Sequence, residues 1–220
     1  MSISENINFF KQTLPANVSL VAVSKFHPVN DLMEAYKAGQ RIFGESRAQE
    51  LVQKKQALPN DIEWHFIGQL QSNKVKDIAP FIHTIHSIDS LKLIEEVEKQ
   101  AAKHDRTIRI LLEIHIAQEE TKAGFSPGEC RDLLSSLSPE NYPHVQFGGL
   151  MTMATNTDDT EQIRKEFRML KSLYDDLKRT YLTDPHFNVL SMGMSSDYEI
   201  AISEGSNMIR VGSTIFGIRE

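Results

Sequence analysis

Residues 18–24 read VSLVAVS, a short run of mainly β-branched and small apolar residues that is typical of a buried strand. Seven similar runs follow: RIFG (41–44), EWHFIG (63–68), FIHTIHS (81–87), IRILLEIHIA (108–117), VQFGGLMTM (145–153), FNVLSMG (187–193) and NMIRVGS (207–213). All but the last precede a longer stretch with helical signals. This alternation predicts repeated βαβ units and a parallel sheet.

Eight strands, seven intervening helices and an extra N-terminal helix predict an α/β fold, a (β/α)8 TIM barrel formed by residues 1–220 as a single domain. We expect the extra helix, predicted over residues 5–13, to close the bottom of the barrel. An open doubly wound sheet is the structural alternative. In a barrel, the binding site lies where the strands end C-terminally.

Helix boundaries are indicated by residues with particular backbone preferences. Pro28 suits a first helical turn, and Gly39 suits a left-handed helix end. Asp158 or Thr160 is predicted to cap the helix that follows at 161–178. Six apolar residues recur in that helix at helical spacing and are predicted to be core: Ile163, Phe167, Leu170, Leu173, Tyr174 and Leu177.

The overall charge and composition exclude several partner classes. A net charge of −6 and the absence of a concentrated basic stripe argue against nucleic acid as a partner. The sequence shows neither a secretory signal nor an apolar run of about 20 residues, so no membrane association is expected. The single cysteine, Cys130, excludes an internal disulfide and favours the cytoplasm. We expect Cys130 to have a packing or surface role and not to act as a reactive thiol.

Lys25 directly follows the first predicted strand, so it is expected at the rim of the barrel interior. Partial burial there favours a neutral amine that attacks a carbonyl group. The alternative is a lysine whose amine stays in solvent while its stem packs on apolar surface.

Two loops near the end of the chain are rich in hydrogen-bond donors. Gly212, Ser213 and Thr214 follow the last strand, and Ser195 with Ser196 precedes a helix predicted over residues 197–204. Such loops bind phosphate in barrels, although a glycine turn and a helix cap are the plainer interpretations. In a closed barrel both loops lie beside Lys25. The predicted ligand is therefore a phosphate-bearing aldehyde such as pyridoxal 5′-phosphate (PLP) or a sugar phosphate.

Six ordered motifs carry a resemblance to a known family: AVSK (22–25), FGES (43–46), WHFIGQLQSNK (64–74), GLMTM (149–153), SMGMSSD (191–197) and IRVGSTIFG (209–217). Over essentially its full length the chain resembles the PLP homeostasis protein family. These proteins are similar to the N-terminal barrel of alanine racemase and to other fold-type III PLP proteins.

The resemblance implies roles for six cofactor-binding residues. Lys25 becomes the Schiff-base lysine, and Arg210 becomes the residue facing the pyridine nitrogen. The implied phosphate ligands are Ser195, Gly212, Ser213 and Thr214. Ser46 departs from the Asn that relatives often have. Four further residues match motif positions near the expected mouth without an assigned role: Glu45, His65, Asn73 and Met192.

A guanidinium beside the pyridine nitrogen leaves that nitrogen unprotonated, because arginine is only a donor. The ring is then a weaker electron sink, which argues against chemistry at an amino-acid α-carbon. An alternative for Arg210 is a surface ion pair with Glu204. Racemisation also needs an acid/base opposite Lys25, and in alanine racemase a second domain supplies it. We therefore assign no catalytic residue.

The predicted function is PLP binding in PLP homeostasis, by a monomer whose possible partners are PLP-dependent apo-enzymes. A small amino-acid racemase or lyase is the first alternative, with His65 and Tyr198 as candidate second bases. A Schiff-base aldolase acting on a sugar phosphate is the second.

The eight histidines do not predict a metal site. His83 and His86 are three residues apart on one predicted strand, so they point to opposite faces. No cysteine or carboxylate set completes a ligand pattern, and no metal is expected.

Overall fold

The computed structural model of the chain describes residues 2–118 and 123–217. Eight parallel strands close into a barrel in chain order, so the first strand pairs with the last. They are β1 (Ser19–Val23), β2 (Ile42–Glu45), β3 (Glu63–Phe66), β4 (Thr84–Ile88), β5 (Ile108–Glu113), β6 (Val145–Met151), β7 (Val189–Ser191) and β8 (Met208–Val211). Each overlaps one predicted run, and the closure confirms the barrel over the open sheet.

Helices surround the barrel in the described ranges. They are α1 (Ile3–Thr13), α2 (Val29–Lys37), α3 (Ala48–Ala57), α4 (Ser72–Ile78), α5 (Leu91–Lys103), α6 (Pro127–Ser136), α7 (Thr160–Thr180), α8 (Tyr198–Ser203) and α9 (Ser213–Phe216). A 3-10 turn at Pro139–Asn141 precedes β6. Among the described residues, no helix has the length and apolar character to span a bilayer.

The N-terminal helix α1 packs on the side of the barrel. It lies against α2 and α9, and the Ser4 N–H donates to Glu34 of α2 at 2.9 Å. The Phe10 ring meets the edge of Tyr198 of α8 at 5.5 Å. The prediction that this helix closes the bottom is therefore wrong. Ile7 and Phe10 share one buried face, and that face is covered in the outer ring, between α2 and the end of the chain.

The core has two layers. Five apolar side chains pack together inside the barrel: Val21, Leu111, Met151, Val189 and Met208. These five residues come from β1 and from β5 to β8, which are consecutive strands around the closed barrel. A larger layer fills the space between strands and helices, and it includes all six core residues predicted on α7. Cys130 is buried in this layer, and burial raises the pKa of its thiol to about 12, which confirms a packing role.

The structure confirms one of the predicted helix boundaries and moves two others. Gly39 follows α2 with a φ of +94°, as predicted, whereas Pro28 is the N-cap of α2 and not part of its first turn. The cap of α7 is Asp159, neither Asp158 nor Thr160, because the Asp159 carboxylate accepts from the N–H groups of Glu161 and Gln162 at 3.0 and 3.1 Å.

Asp159→Ala should lower the free energy of unfolding by about 1 kcal/mol, since it leaves two N–H groups at the helix start without their acceptor. Urea denaturation measures the change. The matched variant Asp158→Ala, at an exposed position, should alter it by less than about 0.5 kcal/mol. Equal losses in both variants would contradict the assignment of the cap.

Candidate functional site

A cavity of about 500 Å³ opens at the C-terminal ends of the strands. This volume lies within the range of about 300–1,000 Å³ that is usual for small-molecule sites. Its polar lining includes five of the six predicted cofactor-binding residues: Lys25, Ser195, Arg210, Gly212 and Ser213. Its apolar lining, which the sequence did not reveal, includes Val23, Ile67, Met153 and Met194. The structure thus brings together residues from both ends of the chain.

The register between β1 and β8 places the last loop beside Lys25. Ala22 pairs with Val211, so the residues that follow these two leave the barrel next to each other. Gly212 lies directly on β1, where an added Cβ would sit 3.2 Å from the Val23 carbonyl oxygen and 3.3 Å from its Cβ. The absent side chain therefore allows the close approach of the two loops.

The donor loops after β7 and β8 contact each other. The Gly212 N–H donates to Ser195 Oγ at 3.3 Å. The backbone bonds of α9 begin with the Ile215 N–H, which leaves the N–H groups of Ser213 and Thr214 outside the helical ladder. Thr214 lies apart from the Lys25 cavity and lines a neighbouring cavity that it shares with Ser195. Asp197, following Ser196, is the residue at the α8 N-cap.

Arg210 is buried, with its guanidinium fixed by three hydrogen bonds. Nη1 donates to the carbonyl and hydroxyl oxygens of Ser191 at 2.9 and 2.7 Å, and Nη2 donates to the Thr152 carbonyl at 2.7 Å. Burial lowers the pKa of Arg210 to about 10, so it remains charged at neutral pH. The alternative ion pair with Glu204 is wrong, because Glu204 pairs with arginines of α7.

A buried ion pair supports the backbone just before Lys25. Lys54 Nζ lies 2.7 Å from both Glu45 Oε1 and the Ser24 carbonyl oxygen, and the Ser24 hydroxyl donates to the same carboxylate at 2.6 Å. Burial raises the pKa of Glu45, and Lys54 opposes that shift. Glu45 thus has a positioning role that the sequence left open. Lys54 was missed because its distance from Glu45 in sequence matches no familiar motif.

The remaining motif residues and the candidate bases lie elsewhere. His65 is buried within the barrel, Met192 is buried in the outer core, and Asn73 is exposed on α4. The Tyr198 hydroxyl donates to Glu199 at 3.2 Å beside the neighbouring cavity. Within the described ranges, neither His65 nor Tyr198 lines the Lys25 cavity. The hypothesis that one of them is a base opposite Lys25 is not supported by this geometry.

Comparison with known proteins identifies the class and then the family. The family model described as the alanine racemase N-terminal domain matches residues 1–220, so the fold and the Lys25 cavity define a barrel of this class. The pyridoxal phosphate homeostasis protein of Aquifex aeolicus is 40% identical over 203 residues, covering 91% of this chain and 87% of the relative. The pyridoxal phosphate homeostasis protein of Schizosaccharomyces pombe is 40% identical over 206 residues, covering 92% of this chain and 85% of the relative. The chain belongs to the pyridoxal phosphate homeostasis protein family.

Solved structures agree with this family. PipY of Synechococcus elongatus PCC7942 without PLP superposes with a TM-score of 0.91 at 36% identity, covering 98% of this chain and 100% of PipY. The PLP-bound PipY structure has a TM-score of 0.89 at 35% identity, with the same coverage. Alanine racemase of Clostridium difficile 630 has a TM-score of 0.78 at 14% identity and is covered over 57% of its length, which shows a shared fold.

Glu113, at the end of β5, is a buried acid close to the charge of Arg210. Burial raises the pKa of its carboxyl to about 7, even though Arg210 opposes the shift. The unfolded carboxyl releases its proton near the ordinary value of 4.5. Between these two pH values the folded state binds more protons than the unfolded state, so this group's contribution to stability is lost as pH rises.

Glu113→Gln should remove that pH dependence. Relative to the variant, the wild type should lose about 3 kcal/mol of unfolding free energy between about pH 4 and about pH 8. Urea denaturation of both proteins across this range measures the difference. Parallel stability curves would show that Glu113 ionises in the folded protein as easily as in the unfolded chain.

Proposed function

We propose that this chain binds PLP on Lys25 and serves PLP homeostasis by holding and releasing the cofactor, without turning over a substrate. The observation that carries the proposal is the placement of Lys25 in one cavity with Ser195, Gly212 and Ser213. Its relatives are named pyridoxal phosphate homeostasis proteins, and the structure of the relative PipY with PLP supports the cofactor.

The donor set of the cavity fits the parts of PLP. Serine hydroxyls and the N–H groups at the start of α9 suit a phosphate, and we assign Ser195, Gly212, Ser213 and Thr214 to it. The Lys25 amine suits the aldehyde, with which it would form a Schiff base. Arg210 suits the pyridine nitrogen as a donor, because its hydrogen bonds to Ser191 and Thr152 hold the guanidinium in place.

Arg210 also limits the chemistry of the site. Bound PLP supplies an electron sink whose strength depends on protonation of its ring nitrogen. A charged guanidinium offers only donors, so it favours the unprotonated nitrogen. Lys25 serves one face of a bound amino acid, and the geometry does not favour His65 or Tyr198 for the other. These features support a carrier over a racemase or lyase.

We further propose that residues 1–220 act as one domain, as a monomer in the cytoplasm, and that PLP-dependent apo-enzymes receive the cofactor. The family match across the whole chain supports the first of these statements. A buried cysteine and the absence of any other support a reducing compartment.

Purified protein mixed with PLP should show a visible absorption band that borohydride reduction abolishes, leaving a modified peptide that contains Lys25. Lys25→Ala should lose the band, because Lys25 is the only lysine among the described residues that line the cavity. Lys37→Ala, at an exposed position on α2, should keep it. A wild-type protein that stays colourless would favour the sugar-phosphate aldolase. Racemase or lyase turnover abolished by Lys25→Ala would replace the carrier with an enzyme.

Ser213→Ala should weaken PLP binding by about 10- to 100-fold, the usual cost of losing a hydrogen bond to a charged group. Pyridoxal, which lacks the phosphate, should bind the variant as it binds the wild type. Spectrophotometric titration with both aldehydes gives the dissociation constants. If the Ser213→Ala variant lost affinity for pyridoxal as much as for PLP, Ser213 would lie outside the phosphate site.

A further inference from the structure

A second cluster of polar side chains lies at the end of the barrel opposite Lys25. Glu63 begins β3, His65 lies two residues further along, and His83 immediately precedes β4. Thr84, the residue after His83, pairs with His65 in the register between β3 and β4, and the His83 ring stacks on the His65 ring. One donor atom from each lies within 4.8 Å of the other two.

His65 has a buried nitrogen without a hydrogen-bond partner. The residue is 1% exposed, and its Nδ1 lies 2.8 Å from His86 Nε2. Its Nε2 has no partner among the described residues. An unsatisfied buried polar atom costs about 1–3 kcal/mol, so the position calls for a ligand at Nε2.

The other two donors complete a set of three. His83 Nδ1 lies 2.8 Å from Thr84 Oγ1, and His83 Nε2 lies 3.7 Å from Glu63 Oε2. The rings of His65 and His83 are parallel within 2°, with centroids 5.5 Å apart. Donor atoms around tetrahedral zinc are about 3.3 Å apart. The donor atoms of the cluster, up to 4.8 Å apart, must therefore come closer together to bind zinc. The side chains of Glu63 and His83 are nearly half exposed, so they have room to rotate toward His65.

Charged side chains of both signs lie near the cluster. Burial lowers the pKa of His65 to about 3 and also lowers the pKa of His83. Arg109 and Arg106 contribute to the lowering at His83, whereas Glu63 opposes it. The carboxylate of Glu63 offsets part of the positive charge that Arg109 presents to a cation.

We propose that Glu63, His65 and His83 bind a divalent transition-metal ion, with water in the open coordination position. Two imidazoles and one carboxylate form a donor set that suits zinc. His83 and His86 lie close together in sequence, whereas His65 precedes His83 by 18 residues. Only the folded barrel places His65 beside His83.

A bound ion also sets the proton positions in a buried hydrogen-bonded chain. Metal on Nε2 requires His65 to carry its proton on Nδ1 and to donate to His86 Nε2. His86 then donates from Nδ1 to Ser191 Oγ at 3.1 Å. That hydroxyl oxygen also accepts from Arg210 Nη1. The metal cluster is thus connected to the Lys25 cavity through three side chains.

Isothermal titration of the PLP-loaded full chain with zinc chloride at neutral pH tests the proposal. We expect one ion per chain, with an affinity lowered about tenfold or more in His83→Asn and in Glu63→Gln. His186→Asn, an exposed histidine before β7, is the matched control and should bind as the wild type does. Thermal unfolding checks that both variants keep the fold, which their half-exposed positions favour.

Three results would overturn the proposal. They are the absence of saturable one-to-one binding in the wild type, unchanged affinity in both His83→Asn and Glu63→Gln, and an equal loss in His186→Asn. Zinc-soaked crystals give an independent readout. An anomalous peak between Glu63 and His83 supports the site, and zinc found on surface histidines alone refutes it.

Discussion

The parallel pairing of β1 with β8 joins the two ends of the chain and places Lys25 beside Arg210, Gly212 and Ser213 in one cavity. Val21 pairs with Arg210 and Ala22 with Val211. A shift of one residue in this register would turn Arg210 away from the barrel interior, since neighbouring residues of a strand point to opposite faces. Gly212 lets the last loop lie against Val23, so closing the barrel and forming the site depend on the same contact.

Inside the barrel, polar side chains replace part of the apolar filling. Arg210, Ser191, His86 and His65 form a hydrogen-bonded chain that begins in the Lys25 cavity and ends at the opposite mouth. In a low-dielectric interior each of these groups is costly to bury alone, and each is stabilised by its neighbours. The chain of hydrogen bonds ends at His65 Nε2, which has no partner within residues 2–118 and 123–217.

Local sequence patterns predicted the elements well for two reasons. Strands of a closed barrel are buried on both faces and read as short apolar runs, and the surrounding helices bury one face with a helical period. All eight strands and the buried face of α7 follow from such patterns. The N-cap of α7 could not be predicted from sequence, because the side chains of Asp158, Asp159 and Thr160 are all able to cap a helix. Only the backbone geometry selects Asp159. The position of α1 depends on its contacts with α2, α8 and α9. Contacts between helices that are distant in sequence cannot be predicted from a local pattern.

The order of the strands, the position of Lys25 after β1 and the donor-rich loops after β7 and β8 follow from the amino-acid sequence alone. Which distant side chains meet depends on the folded barrel: Lys54 meets Glu45 near Lys25, and His65 meets His83 and Glu63 at the opposite end. The physical reason is that such contacts depend on the register between strands and on which face each residue presents. Both are set when the barrel closes, and neither is encoded in the spacing of residues along the chain.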